Sequence, residues 1–315
     1  MKRYFLSLAF TILFSNLLPA QNDGTGGSFT RLGFGARGMG MGNALTAVRE
    51  GAVQTYYNPS LASFSEQRTG SLTTSFLSFD RYLNFLSYTQ AVQPTAGISG
   101  GIINSGVRNI DGRDANGNHT DYYSTTDNEF YLAFANRMTE NLSLGVSVKL
   151  FYSKLFDQIS TTTVGFDIGA FYRLSPEWNI GGVIQDVGTK YKWDSKPIYD
   201  IDGKIVTDNF PQLRRLGVCY APASNIGIIA LDFENSSEGS NMIKIGAEIN
   251  FVPSFTVRGG VDRWILSGNN PGAKPTFGFS LNNSFTKWTP SITYAYVVEP
   301  FSPQNMHILT LSAMF

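Results

Sequence analysis

The sequence of 315 residues predicts an all-β fold, a transmembrane outer-membrane β-barrel of about fourteen antiparallel strands behind an N-terminal hatch or plug segment. Three observations carry this. Apolar and polar residues alternate with period two from about residue 70 to the end. The alternating segments are mostly 9–11 residues long, the length that crosses a bilayer at a tilt. The connections sort by parity into tight turns and variable loops, which a soluble sandwich gives no reason for.

Residues 1–20 read as a signal peptide: Lys2 and Arg3, an apolar stretch from Tyr4 to Leu18, and a small-residue cleavage site at Ala20. The apolar run is short and Asn16 interrupts it, which argues against a membrane anchor. The expected destination is the outer membrane of a Gram-negative cell. The only cysteine, Cys219, excludes an internal disulfide.

Residues 21–67 lack the alternation. Gly33, Gly35 and Gly38 match G-x-G-x-x-G, but "QNDGTGGSFTR" before them is too polar for the buried strand a dinucleotide-binding turn requires. The segment reads instead as a hatch whose glycines let its backbone pass close to a barrel wall. Within it Pro59 ends any regular element and biases Asn58 toward an extended backbone.

Residues 68–315 form the expected barrel. Strands are expected near 70–80, 83–92, 96–109, 128–138, 142–155, 161–174, 178–188, 213–222, 226–235, 241–251, 255–264, 275–283, 288–298 and 305–315. After even-numbered strands come "QPT", "TEN", "SPE", "PASN", "VPS" and "SFTK"; after odd-numbered ones come the longest loops, 110–127 and 189–212. In "LSLGVSVKLFY" the row Leu142, Leu144, Val146, Val148 and Leu150 faces lipid, and Lys149 lies on the opposite row. The same parity turns Asp167, Arg173, Arg215, Lys244, Glu248, Arg258 and Asp262 into the lumen. Their mixed signs predict an internal ion-pair network and a filled interior, where a selective ion pore would carry one dominant sign. The last strand ends on Phe315, a terminal aromatic of the kind that barrel-assembly machinery reads.

Composition narrows the function. The 24 basic and 24 acidic side chains balance, so no field favours nucleic acid. Charged residues are only 15% and aromatics 14%, as suits a surface in contact with outer-membrane lipid. The mature chain has two histidines, His119 in a polar loop and His307 on the lipid row of the last strand, and no G-x-S-x-G elbow; a serine hydrolase is disfavoured and no catalytic residue is expected. Asp114, Asn116 and Asn118 begin like a calcium loop, but His119 and Thr125 stand where it needs Gly and Glu. No metal or cofactor is expected.

"LGFGARGMGMGNALTAV…YYNPSLAS" carries a resemblance. With "FDIGAFYRLSPEWNIGGVIQDVG" and "FPQLRRLGVCYAP", it is similar to PorV/PorQ-type outer-membrane proteins, distant relatives of the FadL fatty-acid channel. The motif residues are Gly35, Ala36, Arg37, Gly38, Met39, Gly40, Gly42, Asn58 and Pro59. The chain departs from the pattern at Arg49-Glu50, where an acidic pair is common, and at Ser60-Leu61, where Ala-Gly is usual. The resemblance implies a barrel plugged by its N-terminal segment, and two roles stay open. One is work with type IX secretion components or exported cargo, through loop aromatics Tyr122, Tyr123, Tyr191, Trp193, Tyr199 and Phe210. The other is FadL-like passage of a hydrophobic ligand by way of a groove, a hatch and a lateral opening.

Overall fold

The computed structural model describes residues 25–51, 53–266, 272–285 and 288–315; the expected signal segment, 1–20, lies outside them. Fourteen antiparallel strands close on themselves: β1 (Thr69–Phe76), β2 (Arg81–Val92), β3 (Ala96–Arg113), β4 (His119–Arg137), β5 (Leu142–Phe156), β6 (Ile159–Arg173), β7 (Trp178–Val187), β10 (Leu213–Tyr220), β11 (Gly227–Ser236), β12 (Asn241–Val252), β13 (Phe255–Ile265), β14 (Lys274–Asn282), β15 (Thr289–Val297) and β16 (Met306–Met314). β8 (Lys190–Asp194) and β9 (Ile205–Asn209) form a separate hairpin in the connection from β7 to β10. Each barrel strand pairs with its sequence neighbours, and β1 pairs with β16 from Thr69↔Met314 to Phe76↔His307. Closure leaves no strand edge, so the wall satisfies its own backbone groups, as a hydrocarbon environment demands.

The pleat separates the faces as alternation predicts. In β5, Ser143, Ser147, Lys149, Phe151 and Ser153 are buried inside, while Leu144, Val146, Val148 and Leu150 form part of an exposed apolar band. Such a band is a liability in water and is stabilising in lipid.

Two expected loops hold structure. The stretch 110–127 is mostly ribbon: β3 and β4 run 18 and 19 residues and meet at a turn where Asp114 accepts the N–H groups of Asn116 and Asn118. The ribbon is exposed on both faces there, so nothing imposes period two on its sequence. The stretch 189–212 holds the β8–β9 hairpin and a short helical turn, α3 (Lys196–Tyr199). Strands of five residues are too short to show a period. β1 ends at Phe76, earlier than alternation predicts, because Phe79 and Asp80 adopt left-handed backbone in the turn to β2.

The core lies inside the barrel. Residues 25–49 and 53–64 lie there as short pieces: a 3-10 turn at Ser28–Arg31, α1 (Ala36–Gly40), α2 (Gln54–Tyr57) and a second 3-10 turn at Pro59–Phe64. α1 packs on β13–β16, and the second 3-10 turn packs on β2–β6.

Candidate functional site

The N-terminal segment crosses the lumen from the long-loop end to the short-turn end. At the start, the Gly26 N–H donates to the Asn209 carbonyl and, at 2.9 Å, to Asp208 on β9. Gly27, at φ 65°, lies under the Phe210 ring, where a side chain would collide. On the far wall Ala36 N–H donates to Thr310 Oγ1 at 2.8 Å and Gly42 N–H to Thr276 Oγ1 at 3.1 Å. Asn58, fully buried, fixes the return. Its Nδ2 donates to the Thr46 and Ala170 carbonyls, and its Oδ1 accepts from Ser60 N–H and Oγ–H, capping the turn that Pro59 opens. At the end, Arg68 and Phe315 exchange backbone hydrogen bonds of 3.0 Å.

The wall is cut to this path by its own glycines. A methyl group on Gly97 would strike the Ala62 carbonyl, on Gly145 the Pro59–Ser60 peptide, on Gly169 the Asn58 side chain, on Gly181 the Thr46 carbonyl, and on Gly246 the Met41 carbonyl. On β14, a methyl group on Gly278 would lie 3.5 Å from the Gly40 Cα. Sequence reading credited the glycines of the segment and missed these partners. Their signal was glycine on the inward parity of successive strands, where side chains otherwise fill the lumen.

Charged side chains pair inside the lumen, and three carboxylates that the sequence analysis did not name take part: Glu129, Asp186 and Glu234. Lys149 lies 2.8 Å from Asp167, 3.1 Å from Asp186 and 4.0 Å from Glu129. Arg215 and Lys244 share Glu234, each at 2.9 Å; Asp262 stands 3.9 Å from Lys244 and accepts from Asn43 of the segment. Arg258 pairs with Glu248 at 2.5 Å. Irregularities in the β6–β7 and β12–β13 ladders, where Asp186 and Arg263 take left-handed backbone, re-aim wall residues as bulges do. Glu129 and Glu234 were on the inward parity and were legible; Asp186 was not, because the bulge changes its face.

Arg37 ties the segment to this network. Its Nε and Nη2 donate to Glu248 at 2.9 and 3.2 Å, and its Nη1 donates to the Glu50 carbonyl. Arg173 departs from expectation: it has the inward parity but sits at the short-turn end, half-buried and outside the network, because β6 ends there.

Aromatic rings fill the lumen beside the Lys149 cluster, whose ammonium lies 5.3 Å over the Tyr56 ring. Phe34 meets Tyr56 at 4.4 Å and Phe85 at 5.3 Å between centroids, and Tyr131 stacks on Phe85 at 6.2 Å. Phe29 packs edge-on to Phe151 at 6.5 Å, Phe151 on Phe210 at 5.0 Å, and Phe210 on Tyr191 at 4.8 Å. Two loop aromatics expected on the outer surface, Tyr191 and Phe210, are therefore inside: the β8–β9 hairpin folds in and they become its anchor on the core. Trp193 is half-buried against Tyr191, Tyr123 is half-buried against Phe156, and Tyr122 and Tyr199 are exposed. His119 is exposed and pairs with Asp111 at 2.6 Å; His307 faces outward beside the Tyr294 hydroxyl.

No protein-family model matches the sequence, and no curated protein matches it. The fold has solved counterparts. The CymD monoaromatic hydrocarbon channel is similar at 14% identity over 90% of this chain and 97% of that one, with a TM-score of 0.64. The Pseudomonas putida toluene transporter TodX gives 14% identity over 90% and 96%, with a TM-score of 0.61. A Pseudomonas aeruginosa FadL homologue gives 12% over 88% and 97%, with a TM-score of 0.60. The chain has the fold of FadL-like outer-membrane barrels.

Proposed function

We propose that this chain is an uptake channel for small hydrophobic molecules in the outer membrane, with residues 21–67 as its hatch and Phe315 as its assembly signal. The aromatic cluster carries the reading. It runs without a break from Tyr191 and Phe210, at the outer hairpin, through Phe151 and Phe29. Phe34, Tyr56, Phe85 and Tyr131 belong to the same apolar core. An apolar solute that displaces one ring contact finds another, at about 0.5–1.5 kcal/mol per aromatic pair. The ladders from β1 to β6 beside the cluster pair without a shift as far as Val107↔Thr125 and Lys154↔Ser160, so no lateral opening interrupts them over that length. The way out leads along the lumen, past the segment that Arg37 latches to Glu248. The neighbours' own substrates, a toluene transporter among them, support the same class. The reading needs no catalytic residue, metal or cofactor.

A role with type IX secretion components rests on the PorV/PorQ-type motif alone. Of its six loop aromatics only Tyr122 and Tyr199 stand free for a protein partner, since Tyr191 and Phe210 are committed to the core. The test is uptake of labelled toluene into vesicles carrying the purified protein. Saturable uptake above bare vesicles is expected. No uptake, with secretion components retained in a mild-detergent pull-down, overturns the proposal.

A further inference from the structure

The short-turn end of the lumen holds a second feature, remote from the aromatic cluster. A half-open cavity of about 290 Å³ lies there, lined among others by Arg49, Phe64, Val92, Pro94, Arg137 and Arg173. That is close to the lower bound of about 300 Å³ for pockets that hold one small organic ligand. The three arginines come from three places: Arg49 from the segment, Arg137 from the end of β4 and Arg173 from the end of β6. All converge on one mouth because both strands end there with inward parity.

Their charges are incompletely answered. Arg49 pairs with its neighbour Glu50 at 2.8 Å. Arg137 and Arg173 have no carboxylate within ion-pair distance among the described residues. Arg137 donates one Nη2 bond to the Pro94 carbonyl, and its Nε is buried without a hydrogen-bond partner. Glu66 and Glu140 also line the cavity, but on its exposed rim and unpaired with these arginines. Between the guanidinium groups stands the Phe64 ring, 6.0 Å from Arg49 and 5.8 Å from Arg137, itself packed on Phe171. Val92 and Pro94 complete an apolar side.

A planar guanidinium with a free edge accepts a carboxylate in two parallel hydrogen bonds, and an aromatic ring beside it takes a flat apolar body. We infer that this mouth is a binding site for a small aromatic carboxylate, its anionic group on Arg137 and Arg173 and its ring against Phe64. An inorganic anion answers the charge but leaves the apolar side empty. A neutral hydrocarbon leaves the guanidinium groups unanswered. The site does not depend on passage through the lumen, and its test reads binding alone.

Equilibrium dialysis of the purified protein in detergent, with labelled benzoate, toluene and inorganic phosphate as probes, tests it. Benzoate should bind one to one, and Arg173→Gln and Arg137→Gln should each weaken it at least ten-fold with toluene binding unchanged. Arg173→Lys should recover part of the loss. Unaltered heat-dependent gel mobility of each variant confirms an intact barrel. Should a glutamine variant not fold, competition decides on the wild type: phosphate must displace benzoate only weakly. Equal benzoate binding by wild type and variants, or displacement by phosphate as strong as by benzoate itself, overturns the site.

Discussion

Replacing Gly145 with alanine should loosen the N-terminal segment while leaving the barrel wall intact. The added methyl group would sit 2.5 Å from the Ser60 nitrogen and 2.6 Å from the Pro59 carbonyl carbon, both backbone atoms that cannot swing aside. Forced contact of this kind costs about 1–3 kcal/mol. Alanine is better than glycine in a strand interior by roughly 0.5–1 kcal/mol, so the wall itself gains slightly. The penalty falls on the segment's seating, and at about 1.4 kcal/mol per factor of ten it raises the displaced fraction roughly 5- to 140-fold. Gly259→Ala is the control: its methyl group would meet only the Thr276 carbonyl at 3.8 Å, an ordinary contact. Protease sensitivity of residues 33–63 and single-channel conductance in planar bilayers read the displacement, with heat-dependent gel mobility reporting the barrel. Indistinguishable behaviour of G145A and G259A would refute the claim that wall glycines seat the segment.

Three further outcomes are expected. Arg37→Gln removes two charge-assisted hydrogen bonds to Glu248, about 1.5–3 kcal/mol each at most, while Arg258 keeps that carboxylate paired; conductance events should become at least several-fold more frequent. Phe151→Ala should lower the melting temperature of the detergent-solubilised barrel sharply, since truncating a fully buried Phe costs about 3–5 kcal/mol, whereas lipid-facing Phe166→Ala should change it little. Asp111 is held below its ordinary pKa of 3.8 by its hydrogen bonds to His119 and Arg113. Its depressed value means that the contact contributes fully above pH 3.8 and is lost as pH falls below that through the lowered pKa; carboxyl NMR titration should show this, and His119→Ala should move the midpoint back up.

The fourteen wall strands were legible because one face meets lipid and the other a polar interior, and that contrast writes period two into Leu142–Phe156 and its neighbours. Where both faces meet water, as in the outer half of the β3–β4 ribbon, no contrast exists and the same strand reads as loop. Parity alone turned Lys149, Asp167, Glu248 and Arg258 into one interior; which of them pair did not follow from it. Asp186 did not, since a bulge reverses its face. The burial of Tyr191 and Phe210 was hidden too, because a folded-in hairpin has the composition of an exposed loop. Phe151 carried a clue: an aromatic on an otherwise polar inward row of β5 marks the apolar side of the lumen.

On the proposed route, solute passes only when the N-terminal segment moves. A Cβ on Gly40 would lie 3.5 Å from the Ala295 Cβ, within disulfide range, so Gly40→Cys with Ala295→Cys, in a Cys219→Ser background, should cross-link the segment to β15. The decisive measurement is toluene uptake by vesicles carrying this variant, before and after reduction. Uptake near the bare-vesicle level is expected when oxidised, with full recovery on reduction. Uptake that is equally fast in the cross-linked and reduced forms would contradict that route.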